Sequence, residues 1–213
     1  METSIREHSL LKSIVLHLLP GILIGIAYFT LVPVVNEHGF PSIMALTLAG
    51  IFVLVPFELG FLLLQRRLTS EKLFNGVIKY VQRIPVWQYI VLVPVIFIAS
   101  GLIFTALKFS ADYFMPFFSW IPTDMILNSE LTKEFTKEKL IITYVGVLLF
   151  VVLILPIIEE FYFRGYLLPR MPSKLKGWAI IIHSGLFALY HTWSPWQFVI
   201  RSLGLLPLIY IVK

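Results

Sequence analysis

Residues 140–165 read LIITYVGVLLFVVLILPIIEEFYFRG. From Leu140 to Ile158 there is no charged side chain, and the run is close to the ~20 residues that a bilayer core requires. At its end stand two adjacent carboxylates, Glu159 and Glu160, and then Arg164. A charge at mid-bilayer costs between ~2.5 and ~10 kcal/mol, so both acids need partners. On a helix Glu160 and Arg164 lie one turn apart on one face, in the favourable acid-before-base order. Glu159 points about 100° away around the helix, so the same arginine cannot neutralise both acids equally. Glu159 is therefore the carboxylate that the rest of the chain has to accommodate.

Working outward, the same apolar character recurs. The 213 residues are 58% hydrophobic and 14% charged, against about 45–50% and about 25% in soluble domains. The fold class expected is all-α, a polytopic transmembrane helical bundle of about six spans in one domain, 1–213. The spans are near Ser13 to Val35, Ser42 to Leu64, Trp87 to Leu107, Leu140 to Leu167, Trp178 to Thr192 and Trp196 to Val212. There is no cysteine, which excludes disulfides, thiolate metal sites and a Cys nucleophile. The net charge of +5 does not point to nucleic acid, because Lys and Arg collect in alternate loops. Arg6 and Lys12 precede the first span and no Lys or Arg lies between Asn36 and Pro41. Arg66, Arg67, Lys72, Lys79 and Arg83 follow the second span, and Arg170, Lys174 and Lys176 precede the fifth. The positive-inside rule then predicts a multi-pass protein of the cell membrane with both termini cytoplasmic. Between the third and fourth spans, the aromatic, proline-containing stretch Tyr113 to Pro122 suits headgroup depth. Ser129 is a candidate cap for a short surface helix.

Several side chains near the acids have two readings. Pro156 frees the carbonyl of Val152 and kinks the span a turn before Glu159; prolines are also simply common in membrane helices. Glu58, inside the second span, either pairs with Arg66 or lines a cavity. Arg201 in the last span either snorkels or meets a buried acid. His183 and His191 lie eight residues apart on one apolar helix, ~80° and ~12 Å from each other. At most one of them belongs to a compact site with Glu159. In a simple hairpin about Met171-Pro172, depth slightly favours His183, which is otherwise a packed core histidine, as is His17.

The pattern Glu159-Glu160-x-x-x-Arg164, followed about thirty residues later by Phe187-x-x-x-His191 in an apolar helix, resembles the first two motifs of the CPBP family. These are the CAAX-protease and bacteriocin-processing (Abi) intramembrane proteases. The resemblance covers residues 140–213. It implies a glutamate-dependent endopeptidase, or metalloendopeptidase, that cleaves membrane-associated or prenylated peptides. It further implies a catalytic set of Glu159, Glu160 and His191. Glu159 would be the base that activates water, and Glu160 would also form a structural ion pair with Arg164. Where a divalent metal such as zinc is the activator, Glu159 and His191 are its candidate ligands. His183, Phe187 and Glu58 are further candidates. The implied partners are the bilayer and a membrane-embedded or lipidated peptide. The family's third motif, a His followed four residues later by Asn or Asp, has no match, since no His follows His191. Weak or no turnover is expected of the sequence as written. The rival reading is a non-catalytic relative that binds a peptide and confers bacteriocin immunity. A transporter is disfavoured because no repeated halves are found.

Overall fold

A computed structural model describes residues 6–74, 76–79, 84–127 and 135–212. Regular structure among them is helical, apart from one isolated bridge between Phe74 and Ile78. Four helices are long and apolar enough to cross a membrane: α1 (Leu10–Glu37), α2 (Ser42–Thr69), α3 (Val86–Ala106) and α5 (Lys137–Arg170). Between α3 and α5 lies the short α4 (Lys108–Phe114). Three shorter helices close the chain, α6 (Trp178–Tyr190), α7 (Phe198–Gly204) and α8 (Leu206–Val212). The all-α membrane bundle is as expected. The sixth expected span, however, is two seven-residue helices, broken where Gly204 meets the ring of Phe104 and Pro207 follows. The candidate cap Ser129 lies outside the described residues.

Local signals explain the boundaries. The Ser9 side chain accepts from the Lys12 N–H at 3.2 Å and starts α1. Thr136 does the same for Lys139 at 3.4 Å and starts α5, with Glu138 in its first turn, where a carboxylate complements the helix dipole. α2 ends at Ser70, which takes a left-handed φ of 56°. The interiors of α2 and α5 are less regular. Gly50–Leu59, which includes Pro56 and Glu58, is π-helical. So are Val147–Ile154 and Glu160–Leu167, with α-helical Leu155–Glu159 between them. A proline has no N–H for the carbonyl one turn back, and widened turns of this kind gather at functional sites. Both acid-bearing helices are thus irregular where their acids sit.

α1 packs against α2 and α6, and α2 against α5. The close approach of α1 to α6 depends on Gly21, whose missing Cβ would fall on the Tyr190 carbonyl. It is secured by the Thr192 hydroxyl, which donates to the Gly21 carbonyl at 2.6 Å. Tyr28, Tyr162, Phe163 and Tyr190 are fully buried at the centre of the bundle. α3 has no buried residue and touches mainly α7 and α8.

The two ends of the bundle are tied separately. At one, Lys139 Nζ donates to the His38 carbonyl, and Tyr28 Oη donates to the Met125 carbonyl at 2.9 Å. At the other, the His8 N–H donates to the Arg170 carbonyl at 2.8 Å and the Ser173 N–H to Glu7 at 2.9 Å.

Candidate active site

α5 delivers Glu159 to the interior of the bundle, in the half nearer Arg170, eleven residues before it and so about 16 Å from that end. Its Oε1 accepts a hydrogen bond of 3.0 Å from the Tyr190 hydroxyl. The acid is therefore satisfied by a phenol from the following helix, where an imidazole was expected. His191, the next residue after α6, lines the same pocket as Glu159. The His191 ring is fixed in place: Nδ1 donates to the Phe187 carbonyl at 2.8 Å, and Phe187 and Tyr190 stand edge-on to it at 4.9 and 5.0 Å. A carbonyl only accepts, so Nδ1 carries the hydrogen and a neutral ring leaves Nε2 as the lone-pair nitrogen.

Arg201, from α7, is the third polar group on this pocket. Its Nη1 donates to Ser194 Oγ at 2.8 Å, and its charge acts on Glu159. It lines the same pocket as the Glu159 carboxylate, but no described ion pair or hydrogen bond joins the two, and its hydrogen bonds go to Ser194. The rest of the pocket is apolar, about 280 Å³, with Ile24, Leu54, Leu155 and Trp193 among its walls.

The remaining sequence candidates fall around this centre. Glu160 and Arg164 form the expected pair at 3.6 Å, longer than a hydrogen bond. The Arg164 guanidinium lies 4.1 Å from the centre of the Phe187 ring, so Phe187 connects the ion pair to His191. Glu58 is fully buried on α2. Its electrostatic neighbours are Glu159, Tyr190 and Arg164 rather than Arg66, and neither of its oxygens has hydrogen-bond geometry with a described residue. It joins the acidic cluster without lining the pocket.

His183 is a correction. The hairpin argument favours it by depth, but it does not line the Glu159 pocket. It is fully buried against α1, where its Nδ1 lies 2.9 Å from His17 Nε2. His17 Nδ1 in turn donates to the Ser13 carbonyl at 2.6 Å. With neutral rings the His183 Nδ1–H donates to His17, which makes this pair a structural strut between α6 and α1. The hairpin estimate fails because α6 is followed by a turn at residues 191–194, which carries His191 sideways toward α5.

Tyr190 was not singled out from the sequence. An aromatic residue at the end of an apolar helix reads as core, and only a three-dimensional neighbour reveals what its hydroxyl meets. A zinc site generally needs three protein ligands. Among the described residues no three His, Asp or Glu side chains converge, so Glu159 and His191 alone do not make such a centre.

Residues 141–212, about a third of the chain, match the family model for type II CAAX prenyl endopeptidase Rce1-like proteins. The resemblance to the CPBP family drawn from the motifs is borne out over that stretch. With four long apolar helices, the chain is a multi-pass membrane protein. No curated protein and no solved structure matches it.

Proposed function

We propose, on the premise that the matched third of the chain is of CAAX-endopeptidase type, that this protein is an intramembrane glutamate-dependent endopeptidase acting on membrane-associated or prenylated peptides. The observation that carries the reading is the shared pocket: Glu159, His191 and Arg201 line one apolar cavity inside the bundle. Glu159 accepts a proton from a water molecule as the water oxygen attacks the scissile carbonyl. The same proton then passes to the departing amine nitrogen as the C–N bond breaks. Arg201 is the group that faces the carbonyl oxygen as it gains negative charge, and the His191 Nε2 lone pair accepts a hydrogen bond from the attacking water. Tyr190 holds one Glu159 oxygen and leaves the other toward the pocket. The route we propose runs through the carboxylate directly, since Glu159 and His191 are the two donors that one pocket brings together among the described residues.

The test is hydrolysis of a fluorogenic farnesylated peptide by the purified protein in lipid nanodiscs. Glu159→Gln and His191→Ala are each expected to lower the rate ~10²-fold or more without a change in unfolding temperature. Equal rates in all three proteins would remove the catalytic assignment. A chelator is expected to leave the rate unchanged. Loss of activity with chelator and its return with zinc would replace the direct route by a metal-assisted one. Peptide that binds equally to wild type and Glu159→Gln, with no cleavage by either, would favour the immunity-type binder.

A further inference from the structure

Another cavity, of about 460 Å³, lies at the end of the bundle where α1 begins and α2 and α5 finish. Lys12 is the third residue of α1, Thr69 the last of α2 and Arg170 the last of α5, and all three line it. The link after α2 adds Glu71, Val77 and Lys79. That link is held by the Lys79 N–H, which donates to the Gly165 carbonyl at 2.8 Å. The start of α1 is fastened in the same way, by the His8 N–H on the Arg170 carbonyl. Four stretches of chain therefore wall one polar space, and Glu159 is not among its residues.

Its charge is unbalanced. Arg6, Lys12, Lys79 and Arg170 line it against two carboxylates, Glu7 and Glu71. Glu7 already accepts from the Ser173 N–H at 2.9 Å, and among the described residues Arg6, Lys12 and Arg170 form no ion pair. α1 has no acid in its first turn, so no side chain there offsets the positive end of its dipole. His8, only 6% exposed, also lines the cavity, and its Nδ1 has no hydrogen-bond partner among the described residues. With Tyr166 Oη donating to Nε2 at 3.5 Å, the neutral ring carries its hydrogen on Nδ1 and lacks an acceptor for it. Cations from three segments, a helix N-terminus and an unpaired N–H make the cavity complementary to an anion with several oxygens.

Depth selects the anion. The ends of three membrane helices meet here, at the level where headgroups lie. Leu11 and Leu68, beside Lys12 and Thr69 in sequence, are 72% and 70% exposed, so α1 and α2 both turn apolar side chains outward where acyl chains begin. We propose that this cavity binds the phosphate of an anionic phospholipid, with Lys12 and Arg170 on its oxygens and its tails along α1 and α2. A zwitterionic headgroup fits less well, because its ammonium meets the same cations. The site does not depend on the peptidase reading.

The test is thermal unfolding of the purified protein in an uncharged detergent, titrated separately with dioctanoyl phosphatidylglycerol, dioctanoyl phosphatidylcholine and inorganic phosphate. A ligand that binds the folded state raises the unfolding temperature with its concentration. Phosphatidylglycerol is expected to do so, and more strongly than either of the others. Lys12→Gln combined with Arg170→Gln is expected to weaken it about tenfold or more. Arg66→Gln combined with Lys174→Gln removes the same charge outside the cavity and is expected to change it less than about twofold. Arg170 also donates to the Tyr166 carbonyl at 2.9 Å; should its variant fail to fold, Lys12→Glu at an exposed position reads the same cavity. Hydrogen exchange at residues 6–9 is expected to slow with phosphatidylglycerol, because the ligand joins His8 to Arg170.

Equal weakening in the two double variants, or equal responses to phosphatidylglycerol and phosphatidylcholine, overturns the site and leaves general charge attraction. Inorganic phosphate that matches phosphatidylglycerol keeps the oxyanion site and overturns the lipid as its source.

Discussion

A carboxylate at mid-membrane has to find a donor, and Glu159 finds the Tyr190 hydroxyl at 3.0 Å. A buried acceptor that loses its donor costs about 1–3 kcal/mol. Tyr190→Phe is therefore expected to lower stability by about that amount, read as the denaturant midpoint in detergent micelles. The same change in a Glu159→Leu background strands no acceptor and is expected to cost less, giving a coupling of about 1 kcal/mol. Equal costs in the two backgrounds would show that the hydroxyl does not serve this acid. The acids and Arg164 were legible in the sequence because charges stand out in an apolar run, whereas Phe187 and His191 came from the motif resemblance, against a depth estimate that favoured His183. Tyr190 and Arg201 were not legible as a set, because their meeting with Glu159 joins residues more than thirty apart across three helices.

Helices that carry site residues must also approach closely, and here α1 and α6 do so at Gly21, where a Cβ would strike the Tyr190 backbone carbonyl. Backbone cannot swing aside as a side chain can. Gly21→Ala is expected to destabilise by about 1–3 kcal/mol and to weaken the Tyr190–Glu159 bond with it. Gly60→Ala is the counterpart: nothing lies near its Cβ position, so the substitution is expected to be neutral or to gain up to about 1 kcal/mol from helix propensity. Thermal unfolding of the two variants checks both, and a gain at Gly21 like that at Gly60 would mean that the close approach to Tyr190 does not depend on the missing Cβ.

The segment before α1 is held differently. His8 is buried beside Tyr166 and Arg170, with its ring centre 5.6 Å from that of Tyr166. Burial, then the charges of Lys12 and Arg170, push its pKa down from 6.5 to about 4. A depressed histidine favours the neutral ring, so its contribution is whole above pH 6.5 and is lost as the pH falls toward about 4. The Glu7 carboxyl, held below its usual value by the Ser173 N–H, loses its contribution further into acid. Hydrogen exchange at residues 6–9, corrected for intrinsic rates, is expected to quicken between pH 6.5 and 4. His8→Leu is expected to flatten the upper part of that change. At this scale the sequence alone marks α5 as irregular, through Pro156. The widened turns themselves did not show in the sequence, because they depend on how α2 and α5 share the space around two acids.

The whole molecule buries only part of its apolar surface, and no residue of α3 is fully buried. The hydropathy that placed the first four spans could not say which of them would keep most of its surface outside the protein. It also overstated the last two, since composition alone does not register that α6 has 13 residues or that α7 and α8 are separate. The face of α3 turned away from α7 and α8 meets the bilayer rather than a protein neighbour, which gives it a distinct response to substitution. Phe97 lies near its midpoint and is 80% exposed. Phe97→Lys places a charge at the centre, at an insertion cost of about 2.5–3.5 kcal/mol, and is expected to reduce the membrane-inserted fraction in a glycosylation-mapping assay. Trp87→Lys, at the helix end, is expected to insert normally because the ammonium reaches the headgroups. Phe97→Leu separates lipid from protein as the neighbour: against lipid it leaves no cavity and stability is unchanged. Were Phe97 packed in a protein core, the lost ring would lower the unfolding temperature.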